Sequence, residues 1–289
     1  MRADSYCMSC LVQKQEQRIR DFKDEDKKTE FMRQVLELIG SCDPELSAPS
    51  IIRRIAPLYE AYWGKPRDME REKKEFNEFL LEMEPDLEQA IRREEDPLKA
   101  ALNYARMGNY IDFTTVKNVS REGLLELFDT QKEKPVDQKE YDFFRRDLET
   151  GRKLVYLPDN CGEIVLDKIL IRLLKEFYPK LDILVLVRGV PVVNDVDMEA
   201  AREVGLDGIA EVLENGSAIA GTDLKDISEK ARKAVEEADL IISKGQGNFE
   251  TIHGCGLNIY YLFLCKCGWF MKRFGAGMLD PMFLNERRI

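Results

Sequence analysis

Three polar clusters interrupt the apolar second half of the chain, and each combines side chains that could bind a metal ion or a phosphate. The clusters are Asp159, Asn160 and Glu163; Arg188, Asn194 and Asp195; and Lys244, Gly245, Gln246, Gly247 and Asn248. Carboxylate and amide oxygens, as on Asp159, Asn160 and Asp195, are the ligands that Mg²⁺ and Mn²⁺ prefer. Glycines 245 and 247 would let backbone N–H groups approach an anion, and Lys244 adds positive charge. Together the clusters predict a site that handles a phosphate group.

Each cluster also has a purely structural interpretation. The pairs Asp159-Asn160 and Asn194-Asp195 could cap the helices that follow them. The glycine-containing cluster could form only a tight turn. The sequence has no P-loop, and no Gly-x-Gly-x-x-Gly follows the first predicted strand, which disfavours a nucleotide triphosphatase or a dinucleotide enzyme. We favour the functional interpretation because three complementary clusters follow three predicted strands.

Short apolar runs predict the strands that position these clusters. They cover residues 154–157, 183–187, 209–213, 240–242 and 259–264. Amphipathic helices separate them, for example over residues 164–177, and this alternation is typical of parallel βαβ units. Ligands of such sheets bind at the carboxyl ends of the strands. We therefore predict an α/β fold, in which a Rossmann-like, doubly wound, mainly parallel sheet occupies residues 151–289.

The first half of the chain has the periodicity of helices instead. Phe31, Val35, Leu38 and Ile39 mark one helical face,. Pro97 could open a later helix that Gly108 ends. Residues 131–137 are polar and predict a surface loop. Residues 1–150 are therefore predicted to form an all-helical domain before the sheet.

Composition limits the compartment and the partners of the protein. The chain has 289 residues, 44% of them hydrophobic, and a net charge of −10. This charge argues against binding to nucleic acid or to an acidic membrane. Seven cysteines are an odd number and favour a reducing compartment over a disulfide framework,. With no apolar signal segment and no long apolar run, we expect a cytoplasmic protein; nothing in the pattern indicates its oligomeric state.

The motifs resemble those of the damage-control phosphatases, a metal-dependent family long catalogued only as a domain of unknown function. The resemblance rests on the three clusters, on residues 108–113 (Gly-Asn-Tyr-Ile-Asp-Phe) and on Lys266-Cys267, which follow the order of the family. It implies a helical domain packed on a Rossmann-like domain, with the site between them. The substrate would be a small phosphorylated metabolite, such as a sugar phosphate or a phosphopantetheine-related ester.

The resemblance also assigns roles to individual residues. Asp159, Asn160 and Asp195 would hold Mn²⁺, Co²⁺, Ni²⁺ or Mg²⁺, and Lys244 would steady the phosphate. Asp159, Asp195 and Lys244 are the candidate catalytic residues. The candidate substrate-binding residues are Asn109, Asp112, Glu163, Arg188, Gly245, Gln246 and Asn248. A Cys-x-x-Cys pair, here Cys7 and Cys10, is typical of a microbial branch of the family.

Two chemical routes are compatible with these residues. A metal-activated water could attack phosphorus, or Asp159 or Asp195 could attack directly and form an aspartyl-phosphate. The absence of an Asp-x-Asp signature at Asp159 favours water. A non-catalytic phosphometabolite-binding protein is the alternative function, although it would not need an activated metal. An S-adenosylmethionine-dependent carboxyl methyltransferase is less favoured, because no glycine-rich loop follows the first strand.

Overall fold

The computed structural model of the chain describes residues 1–116, 118–131, 134 and 136–289. Within these residues seven helices precede the first strand, as the periodicity of the first half predicted. They are α1 (Ser5–Ile19), α2 (Glu25–Ser41), α3 (Ala48–Trp63), α4 (Glu70–Arg93), α5 (Pro97–Gly108), α6 (Arg121–Gln131) and α7 (Gln138–Thr150). The loop predicted for residues 131–137 lies partly outside the described residues. No helix in the described part of the chain is long and apolar enough to cross a membrane.

Side-chain caps fix the starts of five of these helices. The capping residues are Asp4, Asp24, Ser47, Asp96 and Asp137, and each accepts a hydrogen bond from the backbone N–H three residues later. Such a bond satisfies one of the free N–H groups of the first turn. Helix α5 begins at Pro97 and ends at Gly108, which confirms the boundaries predicted for it.

Six strands form one sheet in the described part of the chain. They are β1 (Lys153–Leu157), β2 (Asp182–Val187), β3 (Glu211–Glu214), β4 (Leu240–Lys244), β5 (Ile259–Leu264) and β6 (Pro281–Asn285), in the spatial order β3-β2-β1-β4-β5-β6. The first five are parallel and β6 is antiparallel to β5. The sequence predicted the first five strands and missed β6. The third strand starts two residues later than predicted.

Helices cover both faces of the sheet, which confirms the doubly wound α/β fold. The remaining helices are α8 (Glu163–Phe177), α9 (Met198–Glu203), α10 (Glu229–Glu236), α11 (Gly245–Ile252) and α12 (Gly268–Phe274), followed by a 3-10 turn at Glu286–Arg288. Leu154 and Tyr156 of β1 pack in the same core as α8 and α9, whereas Val155 and Leu157 pack with α10, α11 and α12. Because successive side chains of a strand point to opposite faces of the sheet, each strand contributes residues to two hydrophobic cores.

The larger core extends across residue 150. It joins apolar residues of α4, α5, α6 and α7 to those of α8 and the sheet. Helices α1, α2 and α3 instead form a smaller cluster around Phe31, Val35 and Ile51. The change of character at residue 150 is thus a change of secondary structure within one continuous core.

Candidate active site

The chain changes sides of the sheet between β1 and β4. Helix α8 follows β1 on one face, and α11 follows β4 on the other, which opens a crevice at the carboxyl ends of these two strands,. All three predicted clusters lie at this end of the sheet. The sequence predicted a glycine loop after β4, but helix α11 begins immediately at Gly245. The free N–H groups of its first turn take the place of that loop.

Gly245 lets α11 begin beside the first cluster. Its φ angle is +78°, which favours glycine, and a Cβ atom there would lie only 1.9 Å from Oδ2 of Asp159,. The carboxylate of Asp159 therefore occupies the space that a side chain at residue 245 would need.

Backbone hydrogen bonds join the first two clusters. The N–H of Val196 donates to the carbonyl of Asp159 at 2.9 Å, and the N–H of Cys161 donates to the carbonyl of Asn194 at 2.8 Å. Asn160 and Asp195 form an isolated antiparallel bridge. The structure thus brings the three predicted metal ligands, Asp159, Asn160 and Asp195, to one place.

Two side-chain amides lie against the carboxylates of Asp159 and Glu163. The Nδ2 of Asn160 donates to Asp159 Oδ2 at 2.8 Å and to Glu163 Oε2 at 2.9 Å. The Nδ2 of Asn109 donates to the same two oxygens at 2.9 and 3.0 Å. The Oδ1 of Asn160 faces the other way and accepts a hydrogen bond from Asn194 at 2.9 Å. Because both donors of Asn109 are used inside the protein, its amide supports the site and does not line it.

Lys244 lies beneath the site and is fully buried. Its Nζ donates to Glu163 at 2.5 Å, to Asp167 at 2.5 Å and to the carbonyl of Ala105 at 2.8 Å. An ammonium group has three protons, so none is left for the substrate phosphate that Lys244 was predicted to contact. Burial alone would lower the pKa of Lys244, but the carboxylates of Asp167 and Glu163 raise it. Burial raises the pKa of Asp167 to about 7 even beside Lys244, because two carboxylates share one ammonium,.

Arg188 reaches from the end of β2 to both predicted aspartate ligands. Its Nε donates to Asp195 at 2.6 Å, and its Nη2 lies 3.8 Å from Oδ1 of Asp159. That Nη2 is buried and has no hydrogen-bond partner among the described residues. Its Nη1 donates to Asn248, whose own Nδ2 donates to the carbonyls of Pro158 and Lys244. Asn248 therefore connects the ends of β1 and β4 by hydrogen bonds, whereas Arg188 has one N–H group that remains available for a ligand.

Lys266 is a cation of the site that the candidate residues did not include. Its Nζ donates to Asp112 at 2.9 Å, and its backbone N–H donates to Oε1 of Gln246 at 3.2 Å. Although burial opposes the shift, Lys266 and hydrogen bonds from Thr114 lower the pKa of Asp112 to about 2. The Nε2 of Gln246 is buried without a partner in the part of the chain described. Lys266 follows β5 by two residues, so the strand-end rule could have identified it.

The segment after β3 is a second part of the site that the sequence interpretation missed. Thr222 Oγ1 donates to Asn248 at 2.8 Å. The carbonyl of Ala220 would lie 2.5 Å from a Cβ added at Gly247, in the first turn of α11. The segment of residues 215–222 therefore closes the site on the side of β3, and it too follows a strand end.

The aspartates of the site repel one another when no cation is bound. Burial raises the pKa of Asp159 well above its ordinary value of 3.8, and Asp195 and Glu163 raise it further. Burial raises the pKa of Asp195 as well, although Arg188 opposes the shift. Positive charge placed between these carboxylates would relieve the repulsion.

A hard divalent cation fits this donor set. The described residues include no group of three or more His, Cys, Asp or Glu side chains arranged to hold a metal. The predicted ligands are of a different composition, since they combine two carboxylates with the amide oxygen of Asn160. All are oxygen donors, and Asp195 and Glu163 add to the burial that raises the pKa of Asp159, so a cation bound beside these carboxylates would be favourable,.

Comparison with known proteins identifies the family. The model of the damage-control phosphatase ARMT1-like domain matches residues 3–281. The chain belongs to this family. A damage-control phosphatase of Archaeoglobus fulgidus is 30% identical over 220 residues, which cover 71% of this chain and 70% of that protein. Damage-control phosphatase PH1575 of Pyrococcus horikoshii is 32% identical over 169 residues, or 58% of each protein.

A solved structure supports the same fold. The crystal structure of a DUF89 family protein from Pyrococcus horikoshii aligns with a TM-score of 0.77 and covers 99% of both chains. Its sequence identity is 24%, so this likeness concerns the fold alone. The family that the motifs resembled is confirmed, and so is the predicted fold class.

The Cys-x-x-Cys pair of this family member lies on α1. Cys7 and Cys10 are free thiols and are partly buried. Burial raises the pKa of Cys7 to about 12, so its reactive thiolate does not form near neutral pH,. The assignment to a microbial branch of the family, which rests on this pair, stays a prediction.

A large cavity lies at the opposite end of the sheet from the three polar clusters of this damage-control phosphatase family member. It has a volume of about 1350 Å³ and is lined by residues of α5 and α7 and by residues preceding β1 and β2, among them Tyr104, Tyr141 and Arg145. It therefore opens at the amino ends of the strands. None of the candidate site residues lines this cavity. The candidate active site is therefore identified by the chemical nature of its side chains and not by the size of a cavity.

Helix α4 braces the first cluster from the helical half. The Oδ1 of Asn77 accepts a hydrogen bond from the N–H of Gly162 at 2.6 Å, and its Nδ2 donates to Glu203 at 2.7 Å. Asn77 is fully buried. A Cβ added at Gly162 would lie 2.9 Å from Cβ of Phe76, so α4 packs tightly on the segment that carries Asp159 and Asn160.

We expect the Asn77→Ala variant to lose about 1–3 kcal/mol of unfolding free energy. The substitution leaves the buried N–H of Gly162 without a partner, and such a group carries its full desolvation cost,. Urea unfolding followed by circular dichroism measures the change. Gln13→Ala on the exposed face of α1 is the control and should stay within about 0.5 kcal/mol of wild type,. Equal stability of the two variants would contradict the bracing role of Asn77.

Proposed function

We propose that the protein is a metal-dependent phosphatase that hydrolyses phosphomonoesters of small metabolites, as part of metabolite damage control. The proposal rests on one observation: candidate cation ligands and hydrogen-bond donors for a phosphate lie together at one end of the sheet. Oxygen ligands for a cation stand beside buried N–H groups of Arg188 and Gln246 that have no partner in the described chain. The names of the curated relatives support a phosphatase.

Asp159, Asn160 and Asp195 would hold the divalent cation, which we propose to be Mn²⁺, Co²⁺, Ni²⁺ or Mg²⁺. When bound, it would polarise the phosphoryl group and lower the pKa of a water molecule. Both amide N–H groups that donate to Oδ2 of Asp159 make this carboxylate a weaker nucleophile. We therefore favour water over a direct attack by Asp159.

The phosphate oxygens would be bound by donors that lie beside the metal ligands. We propose for this role Arg188 Nη2 and Gln246 Nε2, which have no hydrogen-bond partner among the described residues, and the N–H groups of the first turn of α11, which no side chain of the N-cap residue Lys244 caps,. Lys266 adds an ammonium with protons to spare, held in place by Asp112. These donors would stabilise the charge that develops on the equatorial oxygens.

The direct test is phosphate release from a panel of phosphomonoesters. The panel contains sugar phosphates and phosphopantetheine-related esters, and metal-stripped protein receives Mn²⁺, Co²⁺, Ni²⁺ or Mg²⁺ in turn. We expect no release without metal and turnover on at least one ester with it. Tight metal binding without release from any ester would favour the non-catalytic binding function instead.

Lys266→Met is expected to raise KM for phosphomonoesters about 10- to 100-fold, with a smaller effect on kcat. A charge-assisted hydrogen bond to phosphate contributes about 1.5–3 kcal/mol, which corresponds to this range. Steady-state kinetics measure the split. The control is Lys153→Met, which removes a lysine at the opposite, amino end of β1 and should leave KM unchanged. An unchanged KM in Lys266→Met would remove Lys266 from the phosphate site.

A further inference from the structure

A buried network of ionic groups lies directly under the candidate metal ligands. It consists of Lys244, Glu163, Asp167 and Tyr156, none of which is exposed to solvent. Tyr156 donates to Oδ1 of Asp167 at 2.7 Å, and Lys244 donates to the same oxygen at 2.5 Å. Asp167 lies one turn after Glu163 on α8, and none of the sequence motifs includes it.

Glu163 divides its two oxygens between this network and the site. Its Oε1 accepts the hydrogen bond from Lys244, and its Oε2 accepts the amide N–H groups of Asn160 and Asn109. A side-chain amide has a donor end and an acceptor end. With its NH₂ group held by Glu163 and Asp159, Asn160 presents Oδ1 on the opposite side, where one lone pair accepts the hydrogen bond from Asn194 and the other is left for a cation,.

The orientation of Asn160 matters for cation binding. Its Oδ1 would be the ligand for a divalent cation, whereas its NH₂ group would repel one. If Glu163 turned away, Asn160 would lose one of the three hydrogen-bond partners that prevent a flip, which are Glu163, Asp159 and the Nδ2 of Asn194. Lys244 and Asp167 hold Glu163 in place, since all three ammonium protons of Lys244 bind fixed acceptors.

We infer that Lys244 and Asp167 are positioning residues, which act through Glu163 to present the amide oxygen of Asn160 to the cation. The inference rests on the proposed metal-dependent function. It places Lys244 outside the substrate contacts and adds Asp167 to the residues that the site requires.

The double variant Lys244→Met/Asp167→Asn tests this inference, with Mn²⁺ affinity of the metal-stripped protein measured by isothermal titration calorimetry. At a pH well above 7, where Asp167 is ionised, the variant removes one positive and one negative charge, so electrostatics alone predicts a nearly unchanged affinity,. The positioning role predicts a loss of about 10- to 100-fold, as is usual when partners of metal ligands are removed. Asn at 167 can still accept the hydrogen bond from Tyr156.

For the single variant Lys244→Met, the electrostatic explanation and the positioning role predict opposite changes in Mn²⁺ affinity. Removal of a nearby positive charge should tighten Mn²⁺ binding by Coulomb attraction alone, whereas a displaced Glu163 should weaken it. Tyr156→Phe is the control, because it removes a hydrogen bond to Asp167 without changing charge, and it should stay within about twofold of wild type,. Thermal melting followed by circular dichroism verifies that each variant is folded, and if the single variant does not fold, the double variant decides.

Wild-type or tighter Mn²⁺ affinity in the folded Lys244 variants would overturn the inference and leave the phosphatase proposal standing. A wild type that binds Mn²⁺ but releases no phosphate would overturn the phosphatase proposal and leave the positioning roles intact. A wild type that does not bind any of the four metals would overturn both.

Discussion

Asp159→Asn should reduce metal-dependent turnover at least 100-fold and, in the same protein, raise the melting temperature of the metal-free form. The carboxylate would be lost as a cation ligand, and loss of a ligand should exceed the 10- to 100-fold effects seen when partners of ligands are removed. The gain in stability of the metal-free form has a different cause. Asn removes a charge whose burial is unfavourable and which Asp195 and Glu163 also repel.

The sign of the stability change follows from the direction of the pKa shift. The pKa of Asp159 is raised in the folded protein, so the folded state binds this proton more tightly than the unfolded state does. The associated stability is fully present below the ordinary value of 3.8 and is lost as the pH rises toward the folded value,. Metal-free wild type should therefore lose stability over this range, and Asp159→Asn should lose less.

Thermal melting of metal-stripped protein at several pH values, together with phosphate release, checks both parts. Each kcal/mol gained corresponds to roughly 2–4 °C for a protein of about this size. Asp182→Asn replaces an exposed aspartate at the amino end of β2 and should change neither activity nor melting,. Full metal-dependent turnover in Asp159→Asn would remove Asp159 from the ligand set.

Gly245→Ala is expected to cause the second large loss, again at least 100-fold in turnover. The added Cβ would lie 1.9 Å from Oδ2 of Asp159, so the carboxylate or the start of α11 must move. A displacement of about 1 Å at a reacting centre can cost 100-fold. The positive φ angle of +78° adds backbone strain of about 1–2 kcal/mol,.

Gly205→Ala separates strain from displacement. Gly205 has a φ angle of +72°, and a Cβ added there would meet no atom within 4 Å. We expect it to lose about 1–2 kcal/mol of stability and to keep wild-type turnover. Turnover and urea unfolding of both variants give the comparison. If the two variants lost the same fraction of turnover, close contact with Asp159 could not be the cause.

The positions of the site residues could be predicted because parallel strands obey a simple rule. Residues that follow β1, β2 and β4 must meet at one end of the sheet, whatever the packing around them. This rule brought Asp159, Asn160 and Asp195 together before any side chain was placed. It would also have identified Lys266, after β5, and the segment after β3, had it been applied to every strand.

The direction of a side chain could not be predicted from a motif. Lys244 was expected to leave the sheet with the glycines that follow it, but β4 continues through Lys244. Strand alternation then places Lys244 on the same face as Leu240 and Ile242, toward α8,. The predicted strand ended at residue 242 and so left out Ser243 and Lys244. Without these two residues in the strand, alternation could not be used to find the direction of the Lys244 side chain.

Asp167 and β6 were missed for different reasons. Asp167 is a single acidic residue in an otherwise apolar stretch of α8, and its role becomes visible only with Lys244 beside it. Strand β6 begins with Pro281, which argues against a strand except at a sheet edge, and an edge is where β6 lies,.

The core that continues across residue 150 limits which parts of the protein can change to accommodate a new substrate. A hinge opening between the two halves would separate α4 and α5 from α8 and expose the largest apolar cluster to water,. The halves are therefore expected to move as one unit, with access to the crevice controlled by the segments that follow the strand ends. Residues 189–193 follow β2 and are partly or fully exposed, whereas residues 215–222 follow β3 and are mostly buried; neither segment belongs to the proposed metal ligands or phosphate donors. Selection for a different metabolite can act on these segments while the reaction centre and the core keep their sequence, so substrate range and folding can evolve separately.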